Sequence, residues 1–548
     1  MSVEGSRFEP RRRRKGRLLT WLALIVLLLA ALLVPPYLNL SRYRHRIADS
    51  ISQSLGRPVH LDHVSLNLLP RPGLTLENLV VSEDPSFGSE PVIRANEVDA
   101  SLRLSSLWRR QIEFGTIRFK DPSVNLVRRA DGRWNLEGIL VHASQRTTAP
   151  TSQRVASSAP RFPYIEATGA RVNFKMGEEK KPFSLTDAEF ALWLPHADQW
   201  HVRLKATPTR TDTSLSGAGT LFIEGTMNRA DHAAEVPLTL TARWSGSQLG
   251  EASQMLTGAD AGWRGTIEIE STLDGTLGAA RLNLTARLRD LRRAAFIPAE
   301  ALDLDTHCEA AMSVTQAVLS APQCTLSMPR HSLFGGDDLP SPPLLAASAQ
   351  ELDLTGLRPK SASLTLPGVE LETVMEFARL FSQRLPQTVA HGTLTGSFAA
   401  LGDAWTGSST LALEIHPTGT MPQTVRFNAT LANDQFTLTP TVLPLSEHDA
   451  LTLAGSATSS EMSFKLKGAA TASELDRLRA FVPPLSDGFE AALPQWRADA
   501  ASAAPGTTTA TTFAINMECK RPWRGTQTCS ALQSPATPPH SARHHRSR

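Results

Sequence analysis

The fold of this 548-residue chain is decided by a nine-residue stretch, Arg281–Arg289, which reads RLNLTARLR. Apolar residues occupy every second position from Leu282 to Leu288, and polar or charged residues occupy most of the positions between them. Successive side chains of a β-strand point to opposite faces of its sheet. The stretch therefore predicts a strand with one apolar face and one wet face.

The same two-residue alternation recurs through most of the chain after residue 164. It is clearest at 200–206, 238–244, 411–415, 425–431 and 462–466. Three short helical patterns interrupt the strands, at 248–256, 371–385 and 473–481, and a fourth precedes them at 40–55. The sequence therefore predicts a mainly β protein with a few short helices.

An apolar sheet face of this size does not stay uncovered in water. Two architectures satisfy that requirement. One is an elongated, twisted antiparallel β-groove of the repeating type, whose lining meets an apolar ligand. The other is a closed β-sandwich, in which two such faces cover each other. In the groove, we expect the lipid-facing residues to be Leu238, Leu240, Leu282, Leu284, Leu288, Leu411, Leu413, Phe427 and Phe464.

The amino terminus carries a basic block, Arg11–Arg17, followed by the uncharged run Leu18–Val34. An apolar helix of that length spans about 26 Å, close to the hydrocarbon thickness of a bilayer. We therefore predict a transmembrane signal-anchor at 18–38, with residues 1–17 kept in the cytoplasm by their positive charge. The alternative is a cleaved signal peptide, but the run exceeds a usual apolar region and lacks an A-x-A cleavage site.

Composition shifts divide the remainder of the chain. A β domain is predicted at 39–142, a linker rich in Ser, Thr and Pro at 143–163, a β-rich repeat body at 164–515, and a disordered basic tail at 516–548. The two ends carry net charges of +5 (1–17) and +6 (519–548) within a total of +3, which leaves −8 for residues 18–518. A mildly acidic body argues against nucleic acid as a partner.

Cys308 and Cys324 lie in alternating segments at a separation that suits neighbouring antiparallel strands. They are a possible disulfide if the body is exported, and otherwise two small apolar groups on a buried face. The sequence contains no C-x-x-C pair, nucleophile elbow, P-loop, dinucleotide fingerprint or H-E-x-x-H motif. We expect no catalytic residue, no metal site and no cofactor, and hence no enzyme.

Four short motifs in the first 140 residues carry a family resemblance. They are Leu55–Val59 (LGRPV), Pro85–Gly88 (PSFG), Val124–Leu126 (VNL) and Asp131–Asn135 (DGRWN). In this order and after a basic signal-anchor, they resemble the amino-terminal region of the AsmA family. In this interpretation the motifs are markers of the fold and carry no chemistry.

The resemblance implies a single-pass protein of the bacterial inner membrane with a cytoplasmic amino terminus and a periplasmic β-rich body. The family is related to bridge-like lipid-transfer proteins. The partners that the resemblance implies are therefore the membrane, phospholipid acyl chains and other envelope proteins. The implied function is non-enzymatic handling of phospholipid along an apolar β-groove, for outer-membrane assembly or envelope homeostasis. The alternative is a membrane-anchored scaffold or assembly factor for outer-membrane proteins.

Overall fold

The structure is a computed structural model. It describes residues 20–27, 44–67, 72–103, 113–144, 148–152, 161–294, 302–329, 342–354, 356, 358–381, 391–471, 473–474, 512–522, 528–531 and 534–535. Residues 20–27 are helical, and the remainder of the signal-anchor predicted at 18–38 lies outside the described residues. Among the described helices, none has both the length and the apolar character needed to span a bilayer.

The chain forms two compact units. The amino-terminal unit comprises Met1–Asp260, Ile267–Asn283 and Met312–Ala317, and the carboxy-terminal unit comprises Ala261–Thr266, Leu284–Ala311 and Val318–Arg548. The linker predicted at 143–163 therefore lies inside the amino-terminal unit. Its described residues are packed: Ala149 is buried, and the backbone N–H of Thr151 donates to the carbonyl of Leu194.

Four α-helices have both ends defined within the described residues: α1 (Arg44–Leu55), α2 (Asn135–Ser144), α3 (Leu249–Thr257) and α4 (Leu371–Arg379). The predicted helices at 40–55, 248–256 and 371–385 are thus confirmed at 44–55, 249–256 and 371–379, whereas residue 248 is in a strand and residues 380–381 form a turn. The fourth, at 473–481, is described only at 473–474. Helix α2 is not in the sequence prediction, although Leu136, Ile139 and Leu140 have the spacing of one helix face.

The amino-terminal unit is built on a mixed sheet. Its strands are β1 (Val59–His60), β2 (His63–Asn67), β3 (Gly73–Val81), β4 (Ile93–Leu102), β5 (Phe114–Lys120), β6 (Ser123–Arg128), β7 (Tyr164–Met176), β8 (Glu179–His196), β9 (Gln199–Arg210), β10 (Thr220–Asn228) and β11 (Pro237–Gln248). Strands β1 and β2 pair with β3, β3 pairs with β4, and β4 pairs with both β5 and β6, all antiparallel. Strands β7 to β11 form an antiparallel meander.

The prediction of a purely antiparallel sheet is wrong at one place. Strands β5 and β6 both pair with β7 in parallel. Parallel neighbours require a crossover connection of a dozen or more residues, usually with a helix. The chain between β6 and β7 supplies it, because it contains α2 and the segment that was interpreted as a linker.

Three strands contribute residues to both units: β12 (Trp263–Thr276), β13 (Ala280–Arg293) and β14 (Leu302–Ser313). The remaining strands belong to the carboxy-terminal unit: β15 (Val318–Ser327), β16 (Leu345–Ala349), β17 (Glu351–Asp353), β18 (Arg358–Pro359), β19 (Ser361–Glu370), β20 (Gly392–Leu401), β21 (Ala404–Ile415), β22 (Gln423–Ala432), β23 (Gln435–Pro444), β24 (Ala450–Ala457), β25 (Glu461–Thr471), β26 (Thr512–Pro522), β27 (Thr528–Ala531) and β28 (Ser534–Pro535).

The carboxy-terminal unit is an antiparallel series in which β15, β16 and β19 to β26 pair in that order. Strand β17 joins β15 to β18, and β27 and β28 both pair with β26. The disordered tail predicted from residue 516 is therefore wrong for its first residues, which complete β26. Eleven residue pairs join β26 to β25, so this segment is an integral strand.

Candidate functional site

The pairing register of the carboxy-terminal unit aligns its apolar residues on one side of the sheet. Leu411 of β21, for example, lies opposite Leu394 of β20 and Phe427 of β22. We name this surface the carboxy-terminal apolar face. It is formed by Leu394, Phe398, Leu411, Leu413, Val425, Phe427, Leu431, Phe436, Leu438, Leu443, Leu451, Leu453, Phe464, Leu466, Ile515 and Met517.

The amino-terminal unit carries a corresponding surface, the amino-terminal apolar face. One row of directly opposed residues crosses eight strands: Leu74, Ala100, Ile117, Ile165, Leu192, Val202, Gly225 and Leu240. A second row runs beside it: Leu76, Val98, Phe119, Ala167, Phe190, Leu204, Ile223 and Ala242.

The amino-terminal apolar face is covered at one end. Apolar residues recur every four residues along α1, at Ile47, Ile51 and Leu55. This stripe packs with Val64 and Val98 of the sheet in one hydrophobic cluster. Such a stripe buries one side of an amphipathic helix. Further along, on β9 to β11, the members of the two rows other than glycine are half-buried.

The carboxy-terminal apolar face also differs between its ends. Towards one end of the strands, Leu443, Leu451, Leu466, Ile515 and Met517 are buried in a single cluster. Towards the other end, the face remains accessible. There Leu431 and Leu438 are half-buried and Phe436 is exposed to 41%.

The nine residues predicted to face lipid all lie on strands. Leu238 and Leu240 are on β11, Leu282, Leu284 and Leu288 on β13, Leu411 and Leu413 on β21, Phe427 on β22, and Phe464 on β25. Leu238 is buried at 3% exposure, and the other eight are half-buried. The structure brings Leu411 directly opposite Phe427, and Phe427 and Phe464 pack against the same buried cluster.

Sequence reasoning missed the last strand of this surface. Ile515, Met517 and Cys519 are all buried and belong to the cluster of the carboxy-terminal apolar face, although the sequence interpretation placed them at or beyond the edge of a disordered tail. The signal was present, because these residues alternate with the polar residues Asn516 and Glu518. An alternation of so few residues is easily overlooked when the residues that follow it are rich in basic side chains.

The carboxy-terminal apolar face departs from regular strand geometry at a glycine and at two shifts of register. Gly468 of β25 has φ 152°, a backbone conformation that residues with a side chain rarely adopt. A Cβ there would lie 2.1 Å from the carbonyl oxygen of Ala450. Shifts of register occur on the same sheet between Leu366 and Val369 and between Leu438 and Thr441. Bulges and interior glycines are the usual means of curving a sheet.

The opposite side of each sheet is polar and carries cross-strand ion pairs. Arg118 pairs with Glu166 at 2.6 Å in the amino-terminal unit, and Lys465 pairs with Glu518 at 3.4 Å in the carboxy-terminal unit. The pKa of Lys120 is raised, first by its hydrogen bond to Glu97 and then by Asp99. Pairs of this kind specify strand register, since a slip of one residue would place the charges on the apolar face.

Two disulfides involve neighbouring strands. Cys308 of β14 and Cys324 of β15 are bonded, which confirms the possible disulfide of the sequence analysis. Cys519 is also disulfide-bonded, and the register of β26 and β27 places it directly opposite Cys529.

The motifs that carried the family resemblance meet in one polar network. Asn135, the first residue of α2, is fully buried, and its side-chain amide donates to Oε2 of Glu83 at 2.5 Å and to the carbonyl of Asn125 at 2.8 Å. Its Oδ1 accepts the backbone N–H of Val127 at 3.1 Å. Three segments, the chain after β3, strand β6 and the start of α2, are thus joined at one point.

Arg57 completes the network from the end of α1. Its guanidinium lies 3.1 Å from Oδ2 of Asp84 and donates to the carbonyl of Asn135 at 3.3 Å. The pKa of the Asp84 carboxyl lies below its ordinary value, first because the backbone N–H of Ser86 donates to it, and further because Arg57 is close. Gly132, in the turn before α2, adopts the positive φ expected of it, 90°.

This network lies within the part of the chain that matches a known family, since residues 11–178 fit the model of the AsmA family. Over this region the chain is similar to the AsmA family. The motifs LGRPV, VNL and DGRWN contribute Arg57, Asn125 and Asn135 to the network, so their role in this protein is to hold α1 and α2 against the sheet. No curated protein and no solved structure matches the chain.

Proposed function

We propose that this protein, which is similar to the AsmA family over residues 11–178, is a non-enzymatic carrier of phospholipid. It is anchored in the bacterial inner membrane with its β-rich body in the periplasm. Each of its two apolar faces lines a β-groove that holds acyl chains. Each acyl chain lies along the apolar rows, and each headgroup stays at the wet rim. In this role the protein serves outer-membrane assembly or envelope homeostasis.

The observation that carries the proposal is the partial exposure of the apolar faces. Eight of the nine residues predicted to face lipid are half-buried. In a closed sandwich, the inward side chains of two sheets interdigitate in a core about 10 Å thick and are shielded from water. Half-buried leucines in continuous rows instead leave apolar area that a ligand can cover.

Three further features support the cellular setting. Disulfides persist in oxidising compartments such as the bacterial periplasm, and this chain has one at Cys308–Cys324 and a second at Cys519. The sequence also places a basic block directly before an apolar run, which is the pattern of a signal-anchor whose body is exported. The match of residues 11–178 to the AsmA family supports the same envelope setting.

Site-specific photo-crosslinking tests the proposal on a single strand. The photoreactive residue benzoyl-phenylalanine replaces either Leu411, on the carboxy-terminal apolar face, or Ser408, which is exposed on the polar side of the same strand. Cells are labelled with radioactive phosphate and irradiated, and the full chain is purified under denaturing conditions. We expect a phosphate-labelled phospholipid adduct at position 411 and none at 408.

Absence of an adduct at position 411, or equal labelling at both positions, would contradict lipid carriage. Crosslinking of position 408 to another protein, with position 411 unlabelled, would instead favour the scaffold function.

The scaffold function remains a second candidate because of one aromatic cluster. On the polar side of the amino-terminal unit, Trp193 of β8 stacks on His201 of β9 with ring centroids 4.2 Å apart, and Tyr164 lies 5.8 Å from Trp193. His201 also contacts Glu224 at 3.1 Å. Clustered Trp and Tyr side chains are enriched where proteins bind each other, so this surface is where a partner protein would be sought.

A further inference from the structure

Two phenylalanines of the carboxy-terminal apolar face touch across intervening strands. The register runs from Phe398 of β20 through Gly407 of β21 and Leu431 of β22 to Phe436 of β23. Three strand spacings separate Phe398 from Phe436, about 14 Å between backbones. Their ring centroids are nevertheless only 5.9 Å apart, edge to face at 67°.

The missing side chain of Gly407 allows this contact. A Cβ at Gly407 would lie 2.5 Å from Cδ1 of Phe398, and a Cβ at Gly396 would lie 3.0 Å from Cε2 of the same ring. The ring of Phe398 therefore lies over two positions that have no side chain. It leans along the sheet towards Phe436, and together the two rings bridge β21 and β22.

The bridge lies across the accessible part of the face. Phe436 is exposed, and its neighbour Leu431 is half-buried, whereas Leu451 and Leu466 near the other end of the strands are fully buried. The rings thus stand where an acyl chain would pass if it moved from strand to strand. Each ring can leave this position by rotating about its own side-chain bonds, without a change in the sheet.

We infer that Phe398 and Phe436 form a constriction on the lipid path. An acyl chain that crosses β21 and β22 must push the two rings apart. The pair determines specificity, because it admits a narrow acyl chain and excludes wider apolar molecules. This inference rests on the proposed lipid-carrying function. Gly407 lies beneath the Phe398 ring, and its lack of a side chain leaves the space in which the two rings meet.

A lipid-transfer assay on the full chain tests the constriction. The chain is reconstituted into donor vesicles of phosphatidylethanolamine and phosphatidylglycerol that contain pyrene-labelled phosphatidylglycerol, and movement of the probe to unlabelled vesicles is followed. For Phe436→Ala we expect the transfer rate to rise about two- to tenfold, which is the factor corresponding to the loss of one aromatic pair. Phe398→Ala should act in the same direction.

Phe381→Ala is the matched control, because it removes an exposed ring that follows α4 and contacts Trp263. Its transfer rate should equal that of the unaltered chain. An unchanged or slower rate for Phe436→Ala, in a chain that transfers lipid, would overturn the constriction alone. Failure of the unaltered chain to move the probe would overturn the proposed function itself.

Discussion

Asn135 and Glu83 are 52 residues apart in sequence, and in the folded protein the side-chain amide of Asn135 donates to the buried carboxylate of Glu83 at 2.5 Å. Because Oδ1 of Asn135 also accepts the backbone N–H of Val127, one side chain satisfies two buried polar groups. Asn135, the last residue of the segment DGRWN, thereby links α2 to the sheet and to the loop after β3.

The first prediction follows from that link. Asn135→Ala leaves a carboxylate and a backbone N–H buried without this partner, and we expect the free energy of unfolding of the amino-terminal unit to fall by about 2–4 kcal/mol. Asn283→Ala is the control, since Asn283 makes one long hydrogen bond to Thr272. Denaturant unfolding of both variants measures the difference. Equal stabilities would show that the network does not hold α2 in place.

The second prediction concerns the disulfide between β14 and β15. Cys308 and Cys324 are 16 residues apart, and the double variant Cys308→Ala, Cys324→Ala should lose about 3 kcal/mol of stability through the greater freedom of the unfolded chain. The matched control is Ser348→Ala with Ser363→Ala, a cross-strand pair of similar separation joined by one hydrogen bond. Urea unfolding of the carboxy-terminal unit is the measurement. A double cysteine variant as stable as the control variant would refute the prediction.

The third prediction separates an open groove from a closed sandwich. Leu411→Asp places a carboxylate on the carboxy-terminal apolar face at a half-buried position. On an open face, water or a lipid headgroup reaches that charge, so we expect a loss of about 1 kcal/mol or less together with reduced bound phospholipid. Thermal unfolding and mass spectrometry of extracted lipid are the two measurements.

Ser408→Asp, on the polar side of β21, is the control and should change neither the thermal stability nor the amount of bound phospholipid. In a closed sandwich, Leu411→Asp would bury an unpaired charge at a cost of several kcal/mol. Unfolding of Leu411→Asp alone would therefore refute the groove.

The fourth prediction is a pH dependence at Asp449. Burial raises the pKa of this carboxyl, and the negative charge of Glu474 raises it further. A carboxyl whose pKa is higher in the folded than in the unfolded state destabilises the protein at neutral pH, and that penalty disappears as the pH falls through the folded pKa. Asp449→Asn should therefore stabilise the carboxy-terminal unit at pH 7, with a smaller effect at pH 4.

The control for Asp449 is Asp403→Asn, which changes an exposed carboxyl between β20 and β21 in the same unit. We expect it to leave stability nearly unchanged at both pH values. Thermal unfolding midpoints at pH 7 and pH 4 provide the comparison, and a larger stabilisation by Asp449→Asn at pH 4 than at pH 7 would reverse the predicted sign.

The alternation of apolar and polar residues was sufficient to predict strands and the sides of those strands. Leu411 and Phe427, chosen from sequence as lipid-facing, do lie opposite each other on one apolar face. The same pattern could have recovered Ile515 and Met517, had the basic composition beyond them not been given more weight. Pairing within hairpins was equally accessible, because the connections between neighbouring antiparallel strands are short.

The sequence by itself determined the β class, the two-sided strands, three of the short helices and the resemblance to the AsmA family, because each of these depends on residues close together in the chain. Only the tertiary structure decided the parallel pairing of β5 and β6 with β7, the meeting of Asn135 with Glu83, and the contact between Phe398 and Phe436. These relationships depend on which distant segments become neighbours and on how the sheet bends between them. Local periodicity carries no information about either, since it is satisfied by any partner strand that presents an apolar side.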